Sequence, residues 1–407
     1  MASYSVPGLY WGTEVSRPPE SGLETGVPVF LGYAKPVGSD QKPGDPVKPG
    51  YLQKKSRNPW VRLSSWEDFG SHFGRGEKGG YLAPAVKGFF ENGGQQCYVM
   101  PLSHDLDPWK PLADGLEHVA RLEVIDLVCA PDIMRRIPGK QSDHSLIREM
   151  QDLVLAQCDR LGDRFAILDS PPDVMKDQIQ GVRRGLISKN GALYYPWLQV
   201  EDGDGTVPGC VPPCGHVAGI YARTDERVGP FKAPANELVE GVVDLTVHLT
   251  DEEQGPLNDM GINCLRYLGG RGLRVWGART LSGLPDFMYV NVRRLFIMLG
   301  RWIQQYQAHV SFEPHTEKLW ARIERDLNVY LGELFQRGAL KGDTPSQAFY
   351  VKCDAETNSF RGREQGYLVT EIGLCPRVPG EFIVVQIFQK PDQLHIVGVP
   401  DPDRLST

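Results

Sequence analysis

The feature of this sequence that most limits its fold is a regular alternation of short apolar runs and longer amphipathic runs between residues 59 and 200. The apolar runs are typical of buried strands, and the amphipathic runs are long enough for helices. Parallel strands need such crossover connections between them. We therefore predict an α/β fold with a mixed, largely parallel central sheet and flanking helices. The predicted strands are QQCYVMPL, EVIDLVCAPD, RFAILDSPP and GALYYPWLQV, and the predicted helices include LADGLEHVARL, SLIREMQDLVLAQCDRLG and DQIQGVRRGLIS.

Outside residues 59–200, the sequence predicts two long helices, a loop-built surface element and further strands. Near the C-terminus, the periodic runs YVNVRRLFIMLGRWIQQYQAHV and TEKLWARIERDLNVYLGELFQRGAL predict two long helices, and three strand-like runs follow them. Before them, VPPCGHVAGIYARTDERVGPFKAPAN is rich in proline and predicts a loop-built surface element. The domains that we expect are an extended arm at 1–20, an α/β domain at 21–200 with a Pro/Gly-rich loop at 36–58, a C-terminal domain at 201–390 that ends in an exchanged strand, and a polar tail at 391–407.

The charge balance argues against a broad nucleic-acid surface, because 44 basic and 51 acidic residues leave a net charge of −7. No apolar run reaches the roughly 18 residues that a membrane span needs. No charged and apolar leader follows Met1. We therefore expect the protein to be made in a cytoplasm, with no direct insertion into a membrane.

The eight cysteines are scattered, which favours buried free thiols over disulfides. Cys210 and Cys214 form one close pair, with His216 just beyond it. No second pair at ligand spacing follows, so we expect no metal site.

The run GGRGLRVWGARTL raises the possibility of a phosphate-binding loop. A dinucleotide fingerprint needs a third glycine and a following helix, but Val275 occupies that position and the next residues read as a strand. We interpret the run as a turn and a strand. Its arginines are then available for ion pairs within the subunit or between subunits: Arg271, Arg274 and Arg279.

Catalytic motifs are weak throughout. EDGDGT lacks the spacing of a calcium loop, no serine lies in a G-x-S-x-G motif, and nothing orients Cys214 and His216 as a nucleophile and a base. We predict that the chain is not an enzyme and binds no cofactor. An α/β enzyme or ligand-binding protein with an unrecognised site remains the alternative function class.

Several long blocks resemble the sheath proteins of contractile phage tails, a family that includes the sheaths of phage-like extracellular injection particles. The blocks occur in the family's order and cover nearly the whole chain outside 36–58. Two segments depart from the family pattern: the opening arm around VPGLYWGTEV, and LPDFM before YVNVRR. The matching blocks are AVKGFFENGGQQCYVM, ALYYPWLQV, VPPCGHVAGIYARTDERVGPFKAPAN, LNDMGINCLRYLGGRGLRVWGARTL, YVNVRRLF and AFYVKCD.

The resemblance implies a helical polymer of identical subunits, built from six-fold rings around a rigid inner tube, whose contraction drives the tube through a target envelope. The implied partners are the chain itself, the inner tube protein, and the baseplate and tail terminator proteins. Assembly is expected in the bacterial cytoplasm, before the sheath becomes part of a phage virion or an injection particle. An interface that joins subunits head to tail without closing a ring produces such a helix.

Two sets of residues are candidates for contacts in this polymer. Arg294 and Arg301 lie seven residues apart on one predicted helix, near Gln305, and we expect this polar face to contact the tube; the helix with Arg322 and Arg325 is the alternative. The second set comprises apolar terminal segments that we expect to exchange strands between neighbouring copies. For the C-terminal segment, the alternative is an ordinary strand of the subunit's own core. The second set consists of Leu9, Tyr10, Trp11, Phe382, Ile383, Val384, Val385, Gln386, Ile387 and Phe388.

Overall fold

A computed structural model of the chain describes the following residues: 23–35, 37, 59–103, 107–135, 143–201, 209–310, 313–377, 383–390 and 393–399. The strands are β1 (Pro28–Tyr33), β2 (Val61–Leu63), β3 (Cys97–Leu102), β4 (Leu127–Cys129), β5 (Phe165–Asp169), β6 (Gly191–Tyr195), β7 (Leu198–Gln199), β8 (Cys210–Val211), β9 (Glu237–Leu238), β10 (Asp244–Leu245), β11 (Ile262–Leu268), β12 (Gly272–Trp276), β13 (Phe349–Lys352), β14 (Leu368–Leu374), β15 (Ile383–Lys390) and β16 (Gln393–Val399).

The α-helices lie mainly between these strands and after the central sheet. Two 3₁₀ turns, Pro131–Met134 and Pro285–Phe287, complete the described elements. The helices are α1 (Trp66–Phe73), α2 (Leu82–Glu91), α3 (Trp109–Val119), α4 (His144–Leu161), α5 (Ile179–Arg184), α6 (Cys214–Arg227), α7 (Asp251–Asp259), α8 (Val290–Val310), α9 (Glu317–Gln336), α10 (Pro345–Ala348) and α11 (Phe360–Glu364).

The central sheet has nine strands in the order β2-β3-β1-β4-β5-β6-β11-β12-β9. The six strands from β3 to β11 in this order run parallel to one another, and β2, β12 and β9 add antiparallel pairs at the two edges. All residues of β4, β5 and β6 are buried, as expected for parallel strands that are covered on both faces. The largely parallel central sheet is therefore confirmed.

The sheet continues past the expected domain boundary at residue 200. Its strand β11 pairs in parallel with β6, and the hairpin of β11 and β12 extends the sheet further. The run GGRGLRVWGARTL forms the turn and second strand of this hairpin, which confirms its interpretation. Gly270 and Gly272 adopt φ values of 73° and 75° there, a region that favours glycine. Arg274 donates to the backbone carbonyls of Arg271 and Asn236.

The segment that we predicted to be a loop-built surface is in fact a helix of the core. Nearly every residue of α6 from Cys214 to Ala222 is buried, and this helix packs against α2, β4 and β5. Its small residues allow close contact: a Cβ atom added at Gly215 would lie 2.1 Å from the carbonyl oxygen of Ala85 in α2. Of the prolines that suggested a loop, Pro212 and Pro213 stand just before the helix and Pro230 and Pro234 follow it, so none interrupts its hydrogen bonds.

A second hydrophobic core follows the central sheet. It contains α8, α9 and parts of the C-terminal sheet, in which β13, β14, β15 and β16 pair in sequence order and antiparallel. Helix α8 contributes to both cores: Val290 and Ile297 pack with the first, and Leu295 and Trp302 with the second. Strand β16 lies within residues 391–407, the segment for which we predicted a polar tail. Among the helices of the described ranges, none combines the length and apolar character of a membrane span.

Candidate functional site

The carboxyl edge of the parallel strands is where an open α/β sheet usually binds a ligand. In this protein, side chains and backbone amides of the chain itself contact one another at that edge. Asp132, which follows β4 and is 3% exposed, accepts hydrogen bonds from the backbone amides of Tyr33 (2.7 Å) and Tyr81 (2.5 Å). The ring of Tyr81 packs edge to face on Trp197, with ring centroids 5.1 Å apart. Asp132 thus connects the end of β1 to the start of α2, which is a structural role.

The strongest candidates for catalytic groups lie under the first turn of α6. Asp169 accepts a hydrogen bond from the backbone amide of Cys214 at 2.8 Å, and burial raises the pKa of Asp169 to about 7. Burial also raises the pKa of the Cys214 thiol well above its ordinary range and lowers the pKa of His216 to about 4. Since the thiolate is the nucleophilic form, this environment disfavours nucleophilic chemistry. All three side chains are buried, so the geometry supports packing rather than catalysis.

The two cysteines of the close pair lie in different environments. Cys210 is exposed in β8, whereas Cys214 is buried at the start of α6, and both thiols are free. No cluster of three or more His, Cys, Asp or Glu side chains suited to a metal ion occurs among the residues with described positions.

The two arginines that we expected to face the tube are buried inside the subunit. Arg294 is 2% exposed, and its guanidinium lies 2.8 Å from a carboxylate oxygen of Asp126 and 2.6 Å from one of Asp225. Burial alone lowers the pKa of Arg294, but these two carboxylates outweigh burial and raise its pKa above the ordinary value. Arg294 is therefore the charged centre of an internal network.

Arg301 is also internal, at 6% exposed. It donates to three backbone carbonyls, those of Glu24 at 3.3 Å and of Glu123 and Val124 at 3.0 Å. The prediction that Arg294 and Arg301 form an exposed polar face is therefore wrong. Of the three residues, Gln305 alone is exposed.

The alternative helix, α9, does present charge to the surface. The side chain of Arg325 is 66% exposed, and that of Arg322 is 35% exposed and lies 2.6 Å from Glu313. Lys318 is also exposed, and it lies on the same face of α9 because it is seven residues before Arg325. The other side of the helix is apolar and buried in the second core, through Leu319, Ile323, Leu327, Leu331 and Leu334.

The candidates for strand exchange divide into two groups. Leu9, Tyr10, Trp11 and Phe382 lie outside the described residues. The others, Ile383 to Phe388, belong to β15, which pairs with β14 on one side and β16 on the other. Both partners of β15 are thus strands of the same chain. In the described part of this sheet, β13 and β16 each pair on one side only.

The chain is similar in sequence to known tail sheath proteins. The phage tail sheath protein central domain matches residues 121–281 of the chain. The tail sheath protein of Vibrio phage KVP40 is 26% identical over 225 residues, which cover 51% of this chain and 33% of that protein. The tail sheath protein of Burkholderia phage BcepMu is 27% identical over 160 residues, which cover 37% of this chain and 33% of that protein. The chain therefore matches about a third of the length of these phage relatives.

Two solved structures match almost the whole chain. The helical sheath of the anti-feeding prophage in its contracted state is 30% identical and has a TM-score of 0.72, with 96% of this chain and 100% of that chain covered. The PVC sheath of an extracellular contractile injection system, also contracted, is 26% identical and has a TM-score of 0.70, with 97% of this chain and 100% of that chain covered. By this identity and coverage, the chain belongs to the family of contractile tail sheath proteins, whose members are structural proteins and not enzymes.

Proposed function

We propose that this chain is a sheath subunit that polymerises helically around an inner tube and contracts to drive the tube through a target envelope. The observation that carries the proposal is the match over the full length of the anti-feeding prophage sheath. A second matched structure is the baseplate of the same particle, at 30% identity and with 99% of that chain covered, which supports a baseplate protein as a further partner. The inner tube and a tail terminator complete the proposed partners, and assembly takes place in the bacterial cytoplasm.

We propose that strands exchanged between copies link the subunits of this polymer. The support is the C-terminal sheet, whose described outer strands β13 and β16 each have one edge without a partner strand in the chain. An added strand satisfies a whole row of backbone groups at such an edge. The apolar arm residues Leu9, Tyr10 and Trp11 of a neighbouring copy are the proposed donors, and β15 takes part through its pairing with β14 and β16.

Deletion of residues 1–15 is expected to leave a folded, soluble monomer that forms no cylinders, because the donated strand is lost. Electron microscopy of the purified protein reports the polymer, and a cooperative urea transition reports the fold. A finer variant replaces Leu9, Tyr10 and Trp11 with aspartate. Its matched control places the same charge at Ser3, Ser5 and Ser16 and should still polymerise. Cylinders of normal length from the deletion variant, or its failure to fold, would contradict strand exchange.

For the tube, we propose contact through the exposed face of α9 around Lys318 and Arg325, together with the exposed Gln305 of α8. Sheath and tube hold register and then separate, which favours polar contacts of modest strength over a large apolar interface. The support is the exposure of Arg325 and Lys318 on a helix whose opposite face is fixed in the second core.

Reversal of both charges, with Lys318→Glu and Arg325→Glu, is expected to give sheaths without a tube or sheaths that contract early. The measurement is the fraction of tube-loaded, extended particles after co-expression with the tube protein. Lys110→Glu with Arg121→Glu is the matched control, since both residues are exposed near α3 and carry the same change of charge. Normal loading of the α9 variant would show that the tube lies against another surface.

A further inference from the structure

Residues 24–27 connect the N-terminal arm to β1, a central strand of the large sheet. The backbone amides of Gly26 and Val27 donate to the two carboxylate oxygens of Asp126, at 3.0 and 2.7 Å. In return, the backbone amide of Asp126 donates to the carbonyl of Val27 at 3.1 Å. The entry of the chain into the sheet is thus fixed by hydrogen bonds to a buried charged group, which are stronger than those between neutral groups.

Three further side chains hold the same segment. Arg294 joins Asp126 to Asp225, Asp225 is hydrogen-bonded to the side chain of Thr25, and Arg301 donates to the carbonyl of Glu24. The two arginines and two aspartates are each less than a tenth exposed, and their charges balance. We call residues 24–27 together with Asp126, Asp225, Arg294 and Arg301 the arm anchor.

Among the described residues, the arm anchor lies against helix α6 and also borders a cavity. Gly26 has a φ of 74°, and a Cβ atom added there would lie 2.6 Å from Cα of Ala222 in α6, so the backbone lies directly on that helix. On the other side is a cavity of about 590 Å³ whose lining includes Leu23, Trp302 and Tyr330. Val27 packs into the first core at 3% exposed, so residues 24–27 are held by this apolar contact and by the polar contacts of the arm anchor.

We propose that the arm anchor is the mechanical joint that carries tension from the N-terminal arm into both cores of the subunit. The proposal rests on the proposed function, in which arms link neighbouring copies. Arg294 and Arg301 both lie on α8, the helix shared by the two cores, whereas Asp126 directly precedes β4 and Asp225 lies in α6, two elements that pack in the first core. A pull on the arm is resisted at these bonds before it reaches the pairing of β1 with β3 and β4.

Constant-force spectroscopy of the full chain tests this joint. One handle is attached at the N-terminus and the other at Cys210, which is exposed while the other cysteines are buried. For Arg301→Gln and for Thr25→Val, we expect the lifetime of the first rupture to fall by about tenfold, because each removes a hydrogen bond with a charged group. Arg184→Gln, at an exposed position of α5, is the matched control and should behave as the wild type.

A second pulling geometry separates a mechanical joint from general stability. With handles at Cys210 and the C-terminus, the force does not pass through residues 24–27, and the Thr25→Val variant should have the wild-type lifetime. Unchanged lifetimes in the first geometry, or equal losses in both geometries, would overturn the proposal. If Arg301→Gln fails to fold, Thr25→Val still decides. The pulling experiment uses single subunits, whereas the deletion experiment measures polymerisation. A failure of strand exchange in the deletion experiment therefore does not change the result expected from pulling.

Discussion

Replacement of Gly215 with alanine is expected to lower the free energy of unfolding by about 3 kcal/mol or more, although alanine is the better helix former. The reason is the crossing of α6 over α2. The new Cβ atom would lie 2.1 Å from the carbonyl oxygen and 2.5 Å from Cα of Ala85, and these are backbone atoms that cannot rotate away. Urea unfolding of the monomer measures the loss, and the variant should also form few or no cylinders.

Gly332→Ala is the matched control, because it makes the same change inside a helix of the second core. Among the described residues, no atom outside the adjacent turns of α9 lies within 4 Å of a Cβ atom added at Gly332. This variant should gain roughly 0.5–1 kcal/mol from helix propensity alone. The opposite signs of the two effects are the diagnostic result. A Gly215→Ala variant as stable as the wild type would mean that α2 and α6 are not in backbone contact.

Replacement of Arg294 with methionine is expected to cost about 3–5 kcal/mol of stability, because it leaves Asp126 and Asp225 buried without their cation. Methionine keeps much of the side-chain volume over the ring of Tyr221, which lies 4.9 Å from the guanidinium carbon, so packing loss is the smaller effect. Denaturant unfolding at neutral pH measures the deficit. Arg325→Met, at an exposed position, should change stability by less than about 1 kcal/mol.

The pH dependence of the Arg294→Met variant provides a further check. A buried carboxyl group without a cation has a pKa above that of the unfolded chain, so the folded variant binds protons more readily than the unfolded chain does. Its stability therefore rises relative to that of the wild type as the pH falls through the raised pKa. A deficit that stays constant with pH would indicate that lost packing, not the unpaired carboxylates, explains the effect.

The strands of the parallel sheet could be predicted from sequence because their burial is uniform and their connections are long. Helix α6 could not, because its glycines and the prolines before it match the composition of a loop. In the fold, Gly215 and Gly219 instead allow close approach to α2, where added Cβ atoms would lie within 2.4 Å of backbone oxygens. A high content of glycine and proline indicates where a backbone can turn. It does not reveal that a glycine lies against another helix that is distant in sequence.

The error at Arg294 and Arg301 has a related cause. Their spacing correctly places them on one face of a helix, but spacing alone does not tell whether that face meets water. In α8 the apolar residues around Arg294, among them Val292, Leu295 and Ile297, lie on several faces of the helix, which is the pattern of a helix with a broad buried surface. That signal was present in the sequence. The partners Asp126 and Asp225 were not predictable, since they lie far away along the chain.

The sharing of α8 between the two cores has a thermodynamic consequence for a contracting polymer. Since one helix packs in both cores, neither core can swing away without exposing apolar surface of α8 to water. Such exposure raises the heat capacity, whereas movement of intact subunits past one another changes it only through the contacts between them. We therefore expect the heat-capacity change measured by calorimetry of contraction to report only the contacts between subunits, because each subunit keeps its internal packing.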